Sequence, residues 1–316
     1  MSKQLILDVD TGNDDAIAIL MAALHPEIAL LGITTVGGNL PVAVTTDNTL
    51  RVLEYIGAEH IPVFRGLDRP FAPRPFPRPA GIASTGALAH QLHLDLPAPR
   101  GSARQQSAVE WLVQTLRQAK SPVTLVPVAP LTNIAAAVTV APDIIEYVDE
   151  IVLMGGASGR GNESSQAEFN IHEDPVAAHV VLNAGFKKIT MIPLDATRQA
   201  LMGREDCARL RALGNAGGNA AASIIEGYIA ARQDQPWAVD KDLAPIHDAL
   251  CVAYVLDPNV VETADTAVSI DTVGYHSYGR TIVDPLGRDG GTPNVSWAYS
   301  ADARLFSKLL FGSLAC

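Results

Sequence analysis

The rhythm of the chain constrains its fold more than any other feature. Short apolar or β-branched runs alternate with longer stretches of helical periodicity. Strands are expected at residues 4–7, 29–36, 123–128, 150–154 and 188–192, and helices at 14–24, 42–56, 106–119, 132–140, 175–184 and 218–232. A further helix is expected to Leu256, then a strand-rich stretch at 266–284 and a last helix at 302–310. Such alternation implies an α/β fold whose mostly parallel central sheet carries helices on both faces, Rossmann-like, in a single large domain spanning 1–316. Two segments break the rhythm. Residues 69–79 hold five prolines and read as a stiff linker or the stem of a lid, and residues 155–165, rich in Gly and Ser, must be a loop.

Composition narrows the partners. Hydrophobic residues make up 48% and charged residues 18%, enough to bury a large core. The formal charge of -11 argues against a nucleic-acid backbone or an anionic membrane surface as partner. Cys207, Cys251 and Cys316 form no C-x-x-C pair, which suits a reducing compartment. No apolar run is long enough to span a bilayer, and the first strand begins too early to leave room for a signal peptide. A cytoplasmic protein acting on a small molecule is expected.

The chemistry collects where strands end. Asp8-Val9-Asp10-Thr11-Gly12-Asn13-Asp14-Asp15 places four carboxylates between an apolar strand and a helix. Open α/β sheets bind ligands at the carboxyl ends of their strands. Four acids in one site repel unless a cation compensates, and oxygen ligands suit a hard divalent ion. Helix capping accounts for one or two of these acids and leaves Asp8 and Asp10 unexplained. The second strand ends in Thr34-Thr35-Val36-Gly37-Gly38-Asn39, whose glycines suit close backbone approach to a polar ligand. After the strand at 123–128 come Ala129-Pro130-Leu131-Thr132-Asn133, and the carbonyls there are free to ligate a cation. Beyond Met154-Gly155-Gly156 lie Asn162, Glu168, Phe169 and Asn170. Residues 167–175 read as a polar loop, with Glu168 and Asn170 alternating to one side of an extended chain. Ile246-His247-Asp248 opens the apolar helix at 249–256.

Taken together these motifs resemble the inosine-uridine preferring nucleoside hydrolases. The match runs through the aspartate cluster, Gly32 to Asn39, Pro130-Leu131-Thr132-Asn133, Met154-Gly155-Gly156, Ala167-Glu168-Phe169-Asn170, Ile246-His247-Asp248 and the late strand Gly279-Arg280-Thr281-Ile282-Val283-Asp284. The resemblance implies hydrolysis of the N-glycosidic bond of ribonucleosides to base and ribose, in nucleoside salvage, by a homodimer or homotetramer. It implies a Ca2+ held by Asp10, Asp15, the Val128 carbonyl and Asp248. Asp14, Asn39 and Asn170 would then bind the ribose diol, and Asn162 and Glu168 the 5′-hydroxyl, with Met154 and Phe169 in the same pocket. Asp10 would take the proton of the attacking water, and Asp8 would be a support behind the ligands. For the leaving base, His247 is expected as proton donor, with Tyr228, Gln235 and Trp237 in a segment that can cover it. One departure stands out. Many members carry a His-Gly pair where this chain reads Ala80-Gly81-Ile82-Ala83-Ser84-Thr85-Gly86, so the likeness extends to ribose recognition and not to the base.

Two other readings use the same residues. Leu5-Ile6-Leu7-Asp8-Val9-Asp10-Thr11 also fits a haloacid-dehalogenase-type phosphatase with Asp8 as nucleophile, but leaves Asp14, Asp15 and His247-Asp248 without roles. A non-catalytic Ca2+-dependent nucleoside or sugar sensor would keep the ribose ligands and dispense with Asp10.

Overall fold

The structure is a computed structural model that describes residues 2–77, 92–233 and 240–316. In chain order its strands are β1 (Lys3–Val9), β2 (Ile28–Thr35), β3 (Val63–Arg65), β4 (Val123–Pro127), β5 (Val148–Met154), β6 (Ile189–Ile192), β7 (Leu201–Gly203), β8 (Leu243–Pro245), β9 (Val261–Ile270), β10 (Thr281–Asp284) and β11 (Val295–Ala301). Its helices are α1 (Asn13–Leu24), α2 (Val42–Tyr55), α3 (Ala108–Gln118), α4 (Thr132–Val140), α5 (Phe169–Glu173), α6 (Pro175–Leu182), α7 (Leu194–Thr197), α8 (Arg204–Arg211), α9 (Ala216–Arg232), α10 (Ala249–Leu256) and α11 (Ala303–Leu314).

Among the described residues, nine strands form one sheet in the order β10-β9-β11-β6-β5-β4-β1-β2-β3. From β11 through β6 to β3 every pair is parallel; β9 joins β11, and β10 joins β9, antiparallel. The strand-rich stretch expected at 266–284 is thus two strands joined by a turn. The antiparallel edge needs β11, which sequence periodicity missed. β7 and β8 pair separately as a two-stranded ribbon.

Both faces of the parallel sheet are buried, so its strands read as continuous apolar runs. Leu5, Leu7 and Val9 point into one core with α1, α9, α10 and α11. Ile6 points into the other, with α3, α4 and α6. The period-2 alternation of a strand therefore divides β1 between two apolar layers. From β1 the chain runs outward to β2 and β3, then returns to β4 on the opposite side of β1 and runs outward again through β5 and β6. The switch point lies between β1 and β4, where Asp8 registers with Pro127. In such sheets a ligand crevice opens outside the carboxyl ends of the strands at that point.

Candidate functional site

β1 stops at Val9, and the chain turns through Thr11 and Gly12 into α1. The turn is fixed from behind: the hydroxyls of Thr11 and Thr49 meet at 2.7 Å, and the Asn48 amide donates to the Thr11 carbonyl at 3.1 Å. Asp15 folds back over the turn. Its Oδ1 accepts the Asp10 N–H at 3.0 Å and its Oδ2 the Gly12 N–H at 2.9 Å. Asp10 Oδ2 accepts the Asn39 N–H at 2.6 Å. A Cβ at position 38 would stand 2.2 Å from that oxygen, so only glycine lets the β2 loop approach. Asp10 Oδ1 is buried and, among the described residues, accepts no hydrogen bond.

Asp248 reaches the same pocket from the start of α10, where its carboxylate caps no helix N–H. Oxygens of Asp14, Asp15 and Asp248 lie within 4.8 Å of one another. All four carboxylates are buried. Among the described residues no basic side chain pairs with any of them. Burial comes first in raising each carboxyl, and mutual repulsion adds to it for Asp10, Asp14 and Asp248. Asp14 is pushed up to about 8, Asp15 is raised, and Asp10 and Asp248 stand well above the ordinary carboxylate range. The arrangement fits a divalent cation: clustered oxygen donors, an unpartnered buried carboxylate oxygen, and charge with nothing to offset it.

The second wall comes from β4 and β5. Asn170 Nδ2 donates to the Val128 carbonyl at 3.0 Å and to the Met154 carbonyl at 3.1 Å. Both amide hydrogens are then spent, so Oδ1 is the atom Asn170 can offer a ligand. The Val128 carbonyl keeps a second lone pair. The extended chain expected at 167–175 is not there. Glu168 is the N-cap of α5, its carboxylate accepting N–H groups from Asn170 (2.9 Å), Ile171 (3.2 Å) and Gly156 (2.9 Å). Asn170 sits in that helix. A carboxylate followed by free backbone N–H groups caps a helix more readily than it continues a polar loop. Burial holds the Glu168 carboxyl up at about 7. Asn162 Oδ1 accepts the Phe169 N–H at 2.8 Å, which leaves its amide as the donor facing outward, and Phe169 is buried.

Asp8 lies behind this pocket. Its Oδ1 accepts from the Thr34 hydroxyl at 2.6 Å and the Asn133 amide at 2.7 Å, and it is 1% exposed. These bonds suit a support, and the phosphatase reading leaves the clustered Asp14, Asp15 and Asp248 without roles. His247 is half-buried, with Nδ1 2.7 Å from the Thr197 hydroxyl. Tyr228 is buried on α9, close enough that Asp14 and Asp248 add to burial in pushing its phenol up. Trp237 and Gln235 lie outside the described residues, as does the 80–86 stretch.

The proline-rich stem packs beside the site as far as Pro77. The Phe71 N–H donates to Asp174 at 2.6 Å, and Phe76 meets Tyr275 and Tyr278 with ring centroids 5.0 and 5.1 Å apart. A cleft of about 290 Å³ runs beneath it, lined by Gly38, Asn39, Pro130 and Asp174 among others. Glu163, His172 and Glu173 form a second acid–histidine group nearby, but Arg74 reaches His172 Nδ1 at 3.5 Å and brings a positive charge into it. Reading strand ends for acids and amides missed α7, whose Thr197 holds His247. The signal was present: Ile192-Pro193-Leu194-Asp195 follows β6 as the other motifs follow their strands.

Comparison with known proteins agrees with this arrangement. The family model described as inosine-uridine preferring nucleoside hydrolase matches residues 5–308. The chain is 38% identical over 317 residues to the pyrimidine-specific ribonucleoside hydrolase RihA of Shewanella woodyi, covering 99% of this chain and 98% of the relative. It is 35% identical over 318 residues to RihA of Photobacterium profundum, covering 100% and 99%. Among solved structures, a purine-preferring ribonucleoside hydrolase from Gardnerella vaginalis superposes with a TM-score of 0.88 at 31% identity, covering 99% of this chain and 98% of that one.

The raised carboxyls give a stability signature. Each binds a proton in the folded state that the unfolded chain releases near pH 4, so the metal-free fold loses stability as pH rises from about 4 through about 8. A divalent cation should reverse this, because it binds the ionised form. Melting temperature in EDTA should therefore fall between pH 5 and pH 8, and the rise on adding Ca2+ should be larger at pH 8. A cation response equal at both pH values would contradict the cluster.

Proposed function

The chain belongs to the inosine-uridine preferring nucleoside hydrolase family, and we propose that it cleaves the N-glycosidic bond of pyrimidine ribonucleosides with one Ca2+ in the carboxylate pocket. Hydrolysis of ribonucleosides follows from the family and from full-length relatives that carry this activity. The pyrimidine preference rests on relatives of 35–38% identity over nearly all of both chains. Calcium rests on the donor set, which is oxygen throughout. One observation carries the reading: four buried, uncompensated carboxylates at the switch point of a parallel sheet. The reaction belongs to nucleoside salvage in the cytoplasm, with a homodimer or homotetramer as the expected assembly.

Asp10, Asp15, Asp248 and the Val128 carbonyl would hold the ion. When bound, it supplies acidity to a coordinated water and a grip on vicinal hydroxyls. The remaining work falls to the chain. Asp10 Oδ1 takes the proton from the water that attacks C1′, and the bond from the Asn39 N–H to Oδ2 orients that carboxylate beforehand. Asp14, Asn39 and Asn170 Oδ1 bind the ribose hydroxyls. Asn162 and Glu168 receive the 5′-hydroxyl. The surrounding carboxylates stabilise positive charge developing on the sugar ring. Met154, Phe169 and Tyr228 line the pocket. His247, oriented through Nδ1 by Thr197, gives a proton to the departing base from Nε2.

Incubation with uridine, cytidine and inosine, with released ribose assayed as reducing sugar, tests the activity directly. Uridine and cytidine should turn over fastest, and EDTA should abolish the reaction. Asp10→Asn should lower kcat by about 10³-fold or more while the protein remains folded; near-normal kcat would sink the mechanism. His247→Ala should cut turnover of uridine about 10²-fold or more and spare p-nitrophenyl riboside, whose leaving group needs no proton. Equal losses on both substrates would reduce His247 to a wall of the pocket.

A further inference from the structure

The loop after β5 is held at successive residues, and most of the hold comes from the α7 turn. Gly156 gives its carbonyl to the Leu194 N–H at 2.9 Å and its N–H to Glu168 at 2.9 Å. Ala157 donates its N–H to the Thr281 hydroxyl at 2.9 Å, and its carbonyl accepts from the same hydroxyl at 2.6 Å. Asp195 accepts both the N–H of Ser158, at 2.9 Å, and its hydroxyl. Arg198, just past α7, donates from Nη2 to the Gly161 carbonyl at 2.9 Å and lies within electrostatic reach of Glu168. Gly161 leads directly into Asn162. A Cβ at position 161 would stand 2.1 Å from the Ala167 carbonyl oxygen, so the loop is folded tightly onto the segment that carries Glu168.

We propose that Asp195 and Arg198 are positioning residues that clamp the 156–162 loop against Glu168 and so set the end of the pocket that recognises the ribose 5′-hydroxyl. The inference rests on the assignment of Asn162 and Glu168 to that hydroxyl. Neither Asp195 nor Arg198 need touch substrate: Asp195 holds the middle of the loop, and Arg198 holds the residue from which Asn162 projects. Thr197 between them fixes His247, so a single turn registers the sugar end and the base end of the pocket.

Two measurements on Arg198→Met test this, with Arg198→Lys as the conservative variant that keeps a cationic donor. The first compares kcat/KM on uridine and on 5′-deoxyuridine. Wild type should prefer uridine, and Arg198→Met should shrink that preference at least tenfold by losing activity on uridine alone, with Lys restoring most of it. A general structural defect would lower both substrates equally, and such a result, or a wild type indifferent to the 5′-hydroxyl, overturns the proposal. The second is limited trypsin cleavage after the exposed Arg160, which needs no activity. Cleavage should be at least tenfold faster in Arg198→Met at unchanged melting temperature. If wild type cleaves neither nucleoside, faster cutting sustains the clamp while the hydrolase reading falls; an unchanged rate overturns the clamp itself.

Discussion

The crowding of Asp10, Asp14, Asp15 and Asp248 in a pocket without a compensating side chain is the constraint on which the site depends. Burial and mutual repulsion both oppose ionisation, so the metal-free pocket stores protons and strain in charge rather than in backbone geometry. No conformational oddity is needed to account for it; among the described residues no non-glycine residue has positive φ. A cation would resolve the conflict and would supply an electrophilic centre beside an unpartnered carboxylate oxygen. The feature that weakens the metal-free fold is the one that would supply the chemistry.

The sheet delivers these groups because of where its winding reverses. β1 has β2 on one side and β4 on the other, so the loops after β1, β2 and β4 converge on one crevice. The Val128 N–H donates to the Asp8 carbonyl, and the Asp8 carboxylate accepts Thr34 and Asn133, which ties β4, β2 and α4 to the back of the aspartate turn. The carboxylates of Asp10 and Asp15 are likewise fixed by backbone N–H groups of the turn and of the loop after β2. Such anchoring is what holds an active site to its productive geometry.

Much of this was legible from residues whose chemistry is local. The apolar run before Asp8, the acids after it, and the helices at 132–140 and 249–256 follow from periodicity and from charge that needs a partner. Pairing across long separations was not legible. β3, β7, β8 and β11 are short or flanked by irregular chain, and β11 finds its partners β6 and β9 only through the sheet. The alternation of Glu168 and Asn170 suggests extended chain, whereas Glu168 caps a helix by accepting three backbone N–H groups. Thr197 and Arg198 follow the Pro193-Leu194-Asp195 strand end, but nothing in that run shows what they hold. Their partners, His247 and Gly161, lie 50 and 37 residues away, and only the fold brings them together.

Calorimetric titration of Ca2+ into the EDTA-stripped protein at pH 8 tests the central claim most directly, because it reads the cation without reference to turnover. One ion per chain should bind, with protons released as the raised carboxyls ionise, and Asp248→Asn should weaken binding at least 100-fold. Absence of binding, or an affinity unchanged in Asp248→Asn, would contradict the account.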